Sequence, residues 1–129
     1  TADVAAVIRG RDYAELFGNA ARAMYGLAGV TPGTQLDQSL AVSIDSVDYD
    51  TLLIDWLNEL IYRLYAEALV FSSCSFLRLD AGNLEAICRG SHFGSGEQGP
   101  VREIKAATYH LTHIRNESSA YVVRVVFDV

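Results

Sequence analysis

Residues 39–67, SLAVSIDSVDYDTLLIDWLNELIYRLYAE, contain a strand pattern followed directly by a helix pattern. From Ser39 to Ser46 apolar and polar side chains alternate, which is typical of a strand with one buried face. Over residues 49–67 the apolar side chains instead recur at helical spacing, and Ser46 or Asp48 supplies the N-cap. The predicted buried stripe of this helix consists of Leu53, Trp56, Leu57, Leu60, Ile61 and Leu64.

A second strand and helix precede this segment. Residues 2–9 are small and β-branched, which predicts a strand. A helix then begins at Asp12, because Glu15 three positions later gives capping-box spacing with Asp as the cap. Its apolar positions recur at helical spacing as far as Leu27, and Gly29 provides a stop.

Only strand patterns follow the long helix. Residues 69–79 and 84–92 predict one hairpin, and residues 102–115 and 120–128 predict a second. The predicted order is therefore strand, helix, strand, helix and then four strands. This order is typical of an α+β fold in which two helices pack on a largely antiparallel sheet. We expect residues 1–129 to form a single domain.

The composition limits the classes of function. Half of the 129 residues are apolar, which is enough for one core, and no apolar run approaches the roughly 20 residues of a membrane helix. The net charge is −6, and the cations are interspersed with acids instead of clustered. We therefore expect no tight, direct binding to nucleic acid. The absence of a charged and apolar leader predicts a cytoplasmic protein.

The two cysteines fall on the first predicted hairpin. If Asp80 pairs with Asn83 across the turn, Cys74 lies opposite Arg89. Cys74 and Cys88 then point to opposite faces of the ribbon, because side chains alternate along a strand. We therefore expect no disulfide between them, in agreement with a reducing cytoplasm.

Three apparent motifs carry little support. Residues 94–99, GSGEQG, match the dinucleotide fingerprint in form, but Pro100 and a strand-like run follow where the motif needs a helix N-terminus. Asp55 and Glu59 lie four residues apart on the long helix, a spacing more often found on a solvated face than in an acid–base pair. The histidines, which are His92, His110 and His113, lack both zinc-ligand spacing and a recognisable nucleophile.

A more informative pair of charges lies on the second predicted hairpin. With the turn at residues 116–119, Asp128 pairs with Ala107, and Lys105 lies one diagonal away on the same face. Diagonal neighbours are about 7–8 Å apart, within reach of a lysine side chain. Lys105 and Asp128 should therefore share a site, unless the register slips by one. The opposite face carries the better core, with Ile104, Ile114, Tyr121, Val123, Val125 and Phe127.

Five segments in order resemble the archease family and together span the chain. They are Thr1-Ala2-Asp3-Val4, Glu15–Ala21, Leu52–Ile61, Ile104–His110 (IKAATYH) and Val126–Val129 (VFDV). The resemblance implies an α+β fold and the role of an accessory protein, not a free-standing enzyme. Archeases assist an RNA ligase that joins tRNA halves, by promoting transfer of guanylate to the ligase's own active-site histidine.

The resemblance also implies a site. Metal-binding aspartates belong to the opening and closing motifs, which here are Asp3 and Asp128, and the essential lysine is Lys105. Asp3 rests on the resemblance alone. These carboxylates, together with the terminal carboxylate of Val129, are hard oxygen ligands that suit Ca²⁺, Mg²⁺ or Mn²⁺ better than zinc.

Two other functions remain open. One is a stand-alone metal-dependent hydrolase that uses Asp3, Asp128 and Lys105, and the other is a chaperone-like binding module whose aspartates are structural. The sequence also departs from the archease pattern in two places. The histidine that the resemblance implies before Thr1 is not among residues 1–129, and the loop at 91–100 is richer in glycine than the family's loop.

Overall fold

The structure, a computed structural model, describes residues 2–33, 35–93 and 100–129. Along the chain, β1 (Asp3–Gly10) precedes α1 (Tyr13–Ala28), and β2 (Gln38–Asp45) precedes α2 (Tyr49–Glu67). Five strands follow, which are β3 (Leu69–Leu79), β4 (Asn83–His92), β5 (Ala106–Thr108), β6 (Arg115–Glu117) and β7 (Ala120–Asp128). Residues 94–99, whose match to the dinucleotide fingerprint is only formal, lie outside the described residues.

The strands form two antiparallel sheets. In the first, β7 lies between β1 and β5 and also pairs with β6. In the second, β4 lies between β2 and β3. The α+β class with two helices on antiparallel sheet, as predicted, is confirmed. Among the described residues, no helix combines the length and apolar character that a membrane crossing requires.

Both helices begin and end where local chemistry dictates. The Asp12 carboxylate accepts from the Glu15 N–H at 2.8 Å, and the Asp48 carboxylate accepts from the Thr51 N–H at 2.7 Å. Each cap satisfies an N–H group that the first helical turn leaves without a partner. The first helix stops at Gly29, whose φ of 75° is left-handed. The second stops at Ala68 with a φ of 56°, a conformation that costs an alanine more than a glycine.

One hydrophobic core joins both helices and both sheets. Trp56 of α2 is fully buried, and its indole N–H donates to the Phe17 carbonyl of α1 at 3.1 Å. Phe76 of β3 packs edge-on against both of these aromatic rings. The predicted stripe of α2 is buried, and so is the predicted inner face of β7, with Val123, Val125 and Phe127. The helices are therefore held to both sheets through contacts among large apolar side chains.

The second predicted hairpin is interrupted. Its turn is the two-residue loop Ser118–Ser119, both at positive φ, and the strand before this loop, β6, begins only at Arg115. The chain leaves the sheet between Tyr109 and Ile114, which is why the predicted strand 102–115 becomes two short strands. Two contacts to Asp50 hold this excursion over the start of α2, because its carboxylate accepts from the Ile114 N–H at 2.9 Å and contacts His113 Nδ1 at 3.1 Å.

The predicted arrangement of the cysteines is wrong. The ladder between β3 and β4 has an irregularity between Phe76 and Arg78, where Leu77 is the extra residue. The register beyond it shifts by one, so Cys74 lies directly opposite Cys88 and not opposite Arg89. Both side chains therefore share a face of the sheet. Contrary to the prediction, their facing does not exclude a disulfide, and both are free thiols in this structure.

Candidate site at the meeting of the terminal strands

Asp3 and Asp128 face each other across the first and last strands. The antiparallel ladder of β1 and β7 pairs them directly, so both carboxylates project from the same face of the sheet. Asp3 is exposed and Asp128 is half-buried. The ladder continues one step further, because the Val129 N–H donates to the Ala2 carbonyl at 3.0 Å. Two acidic groups far apart in sequence thus lie at one end of the sheet.

Lys105 adjoins this pair by a different route from the predicted one. Asp128 is opposite Ala106, not Ala107, so the predicted register is wrong by one residue. Lys105 lies just before β5, and its N–H donates to the Asp128 carbonyl at 2.8 Å. Its side chain is exposed, and among the described residues its ammonium group forms no ion pair. The main chain, and not a diagonal side-chain contact, brings Lys105 to the acidic pair.

The strand after Lys105 is fastened to α2 by one asparagine. The side-chain Nδ2 of Asn58 donates to the main-chain carbonyl of Ala107 at 3.1 Å. Its side-chain Oδ1 accepts from the Ala107 N–H at 2.8 Å. Ala107 is only 3% exposed, so its main-chain groups depend on this side chain. Asn58 therefore takes the place of a further strand at this edge of β5.

The residues before Lys105 are fastened to the same helix. The Tyr65 hydroxyl accepts from the Ile104 N–H at 2.7 Å and donates to the Arg102 carbonyl at 3.0 Å. Burial raises the pKa of Tyr65, so its hydroxyl stays protonated and able to donate. Lys105 thus stands between two points held by α2. The groove beside it has a volume of about 400 Å³ and is lined by Ile61, Tyr62, Tyr65, Ala66, Glu103, Ile104 and Lys105.

The other candidate groups have separate partners. Asp55 accepts from the Tyr109 hydroxyl, a bond that raises the pKa of Tyr109, whereas Glu59 pairs with Arg63 at 3.0 Å. The two carboxylates therefore take part in separate contacts, one to the residue that follows β5 and one within α2. His92 contacts the Glu67 carbonyl at 2.8 Å.

The donor set at the acidic pair suits a hard cation. Asp3 and Asp128 offer only oxygen, and Ca²⁺ and Mg²⁺ prefer such ligands. No group of three or more His, Cys, Asp and Glu side chains that could hold a metal occurs within residues 2–33, 35–93 and 100–129. Main-chain oxygens and water would therefore have to complete the coordination, which Ca²⁺ and Mg²⁺ allow. Nearby, the hydroxyl of Thr108 is buried and has no hydrogen-bond partner among the described residues.

Asn58 and Tyr65 are the positioning residues that the sequence did not reveal. Asn58 falls off the apolar stripe of α2, and its amide offers both a donor and an acceptor. A polar side chain next to a buried stripe was the available signal. It could not be used, because nothing in the sequence tells which strand the helix covers.

The fold and the terminal strands define a class of protein: a small α+β protein with two helices, two antiparallel sheets and an acidic pair where the first and last strands meet. Residues 1–129 match the model of the Archease protein family (MTH1598/TM1083). The chain belongs to the archease family.

Individual archeases support this assignment. The chain is 32% identical to the protein archease of Methanothermobacter thermautotrophicus over 132 residues, covering 100% of this chain and 94% of that protein. It is 32% identical to the protein archease of Archaeoglobus fulgidus over 131 residues, with the same coverage.

Two solved structures share the fold. The solution structure of Methanobacterium thermoautotrophicum protein 1598 is similar with a TM-score of 0.78 at 30% identity, covering 100% of this chain and 94% of that one. A crystal structure from Thermotoga maritima, described as an archease and "possible chaperone", gives a TM-score of 0.72 at 23% identity, covering 100% and 92%.

Proposed function

We propose that this archease is an accessory protein that activates a tRNA-splicing RNA ligase in the cytoplasm. In this proposal it promotes transfer of guanylate to the ligase's own histidine, sustains multiple turnover and catalyses no reaction alone. The observation that carries the proposal is the pairing of Asp3 with Asp128, with Lys105 bonded to the same end of the sheet. The Lys105 ammonium group can donate to a phosphate that another protein presents, and the two carboxylates can hold a cation that attracts the same phosphate.

The proposal includes a divalent metal held by Asp3, Asp128 and the carboxylate of Val129. Oxygen ligands of this kind favour Ca²⁺, Mg²⁺ or Mn²⁺ over zinc. A bound cation supplies positive charge that attracts phosphate oxygens. The role of the two aspartates is then to hold that charge at the end of β1 and β7, next to Lys105.

Lys105 is proposed to contact a phosphate directly. Its exposed ammonium group is a mobile donor, while the main chain on both sides of it is held by Asn58 and Tyr65. Because the main chain is held and the ammonium group is mobile, Lys105 can contact a phosphate in several positions without rearrangement of the strand. The competing role, neutralising Asp128 as a surface ion pair, would contribute less than about 1 kcal/mol.

The charge of the chain favours a protein partner over direct RNA binding. A net charge of −6 opposes the phosphate backbone, whose binding depends on clustered cations. In this proposal the archease meets RNA or nucleotide only through the ligase.

The test is a reconstituted reaction that contains a cognate RNA ligase, GTP and Mg²⁺, with and without this protein. Radiolabelled guanylate on the ligase and the number of joined RNA molecules per ligase are measured. We expect wild-type protein to increase both, and Lys105→Ala to increase neither while keeping its melting temperature and metal affinity. Wild-type stimulation by Lys105→Ala would rule out the role assigned to Lys105.

A matched control is Arg124→Ala, which removes an exposed cation from β7 and leaves Lys105 in place. It should stimulate the ligase as wild type does. Lys105 is also the only lysine in the sequence, so reductive methylation with ¹³C labels a single side chain besides the chain's amino group. Its NMR signal should shift when ligase and GTP are added together.

The same preparation distinguishes the two alternatives. Hydrolysis of a phosphoester by the isolated protein would favour the stand-alone hydrolase. Suppressed aggregation of an unfolded client, without effect on the ligase, would favour the chaperone-like module.

A further inference from the structure

The two cysteines lie opposite each other in the second sheet. The irregularity at Leu77 brings Cys74 into direct register with Cys88. Residues paired in this way have Cα atoms about 4.5 or 5.5 Å apart, depending on the type of pair. A disulfide needs a Cα separation of about 4.4–6.8 Å. The backbone is therefore already in the range in which the two sulfur atoms can be joined.

The two thiols differ in their access to solvent. Cys88 is fully buried, whereas Cys74 is half-exposed on the edge strand β3. Cys74 also lines an open cavity of about 300 Å³ between α1 and β3. A water molecule takes about 30 Å³ in the liquid, so this cavity admits an oxidant as small as hydrogen peroxide.

The surroundings assign different roles to the two sulfurs. Cys74 lines the open cavity, whereas Cys88 is fully buried. The pKa of Cys88 is raised by the contact of its thiol with Cys74 and by burial, so Cys88 stays a thiol. Cys74 is thus the sulfur that meets an oxidant first, and Cys88 is the neighbour that can resolve the product.

We propose that Cys74 and Cys88 form a reversible oxidation site for hydroperoxides. The Cys74 thiolate attacks the peroxide, an S–O bond forms, the O–O bond breaks, and the leaving oxygen departs as water with the proton that Cys74 released. Cys88 then attacks the Cys74 sulfur, the S–S bond forms, the S–O bond breaks, and the hydroxide departs as water with the Cys88 proton. Two thiols and hydrogen peroxide give one disulfide and two water molecules, and the sulfurs supply both electrons.

This site is independent of the proposed ligase activation. The cysteines belong to β3 and β4, whereas Asp3 and Asp128 belong to the other sheet. In a reducing cytoplasm the pair stays reduced, and the disulfide forms only during exposure to peroxide. Its effect is a covalent link between the edge strand β3 and the central strand β4.

The test uses the reduced protein and hydrogen peroxide. Intact mass should fall by two hydrogen atoms, both thiols should disappear from a thiol assay, and peptide mapping should find Cys74 joined to Cys88 within one chain. Dithiothreitol should restore the original mass and both thiols. Survival of both thiols, a disulfide only between chains, or oxidation of Cys74 to the sulfinic acid beside an intact Cys88 would each overturn the proposal.

Two alanine variants test the roles of the sulfurs. Cys88→Ala should stop at a gain of one oxygen atom on Cys74, which dimedone can trap, and Cys74→Ala should leave Cys88 a thiol. Oxidation of Cys88 at the wild-type rate in Cys74→Ala would overturn the assigned order. Circular dichroism checks that each variant folds, and the wild-type mass measurement decides the proposal even if one does not.

Discussion

Replacing Asn58 with leucine tests how much this one side chain contributes to holding β5 in place. The leucine side chain has a similar shape but can neither donate nor accept a hydrogen bond. The substitution removes both bonds between the Asn58 amide and the main chain of Ala107. Because Ala107 is 3% exposed, water cannot readily replace them.

The expected loss of stability follows from these contacts. A buried group left without its partner costs about 1–3 kcal/mol, and two groups are affected here. Leucine recovers about 0.5 kcal/mol through its better helix propensity. We therefore expect the free energy of unfolding to fall by about 1.5–5.5 kcal/mol. In a chain of 129 residues each kcal/mol corresponds to roughly 3–4 °C, so the melting temperature should fall by roughly 5–22 °C.

Thermal unfolding followed by circular dichroism measures this change, and hydrogen exchange at the Ala107 amide, which should accelerate, locates it. The matched control is Asn116→Leu, an exposed asparagine on β6, which should change stability by less than about 0.5 kcal/mol. If Asn58→Leu melts within about 2 °C of wild type, the amide does not secure β5 and the reasoning is wrong.

Three further measurements test other parts of the molecule. Ala68→Gly should raise stability by about 0.5–1 kcal/mol in urea unfolding, because glycine adopts the left-handed end of α2 without strain; no gain would contradict this. Pairing with Arg78 lowers the pKa of Asp80 from its ordinary value of 3.8 to about 2. The folded-state pKa is the lower one, so the contribution of Asp80 is complete above pH 3.8 and is lost toward pH 2. Asp80→Asn should therefore show a shallower decline of the urea midpoint in that interval, and an unchanged decline would refute the assignment. For the proposed metal, Asp3→Asn and Asp128→Asn should each weaken Ca²⁺ binding in calorimetry, and extending the chain past Val129 should weaken it if that carboxylate is a ligand. Tight zinc binding without calcium binding would contradict the donor chemistry.

The elements set by local chemistry could be predicted from the sequence. Asp12 and Gly29 act within one helical turn of their own positions and lie where the capping pattern placed them, and Asp48 is one of the two caps predicted for α2. The apolar stripe of α2 and the inner face of β7 follow from periodicity alone. These features need no knowledge of the rest of the chain.

Register could not be predicted, because one residue inserted or removed between paired strands moves every partner beyond it. Leu77 adds one residue to β3 and so reverses the expected facing of Cys74. The segment from Tyr109 to Ile114 leaves the sheet because Asp50, more than 60 positions earlier in the sequence, bonds to it. The sequence of each hairpin gives no sign of these two features. The extra residue in β3 depends on the local twist of the sheet, and the excursion depends on a distant helix.

The error in register nevertheless left Lys105 beside Asp128, and the reason bears on the site. The predicted contact was a diagonal between two side chains, which a slip of one residue would abolish. The actual contact runs from the Lys105 N–H to the Asp128 carbonyl, so it does not depend on which way the lysine side chain points. Asn58 and Tyr65 fix the main chain on either side of it, and the ammonium group is left unconstrained. Lys105 thus has a fixed main chain and a mobile ammonium group. This combination is better suited to contacting a partner than to neutralising a neighbouring carboxylate.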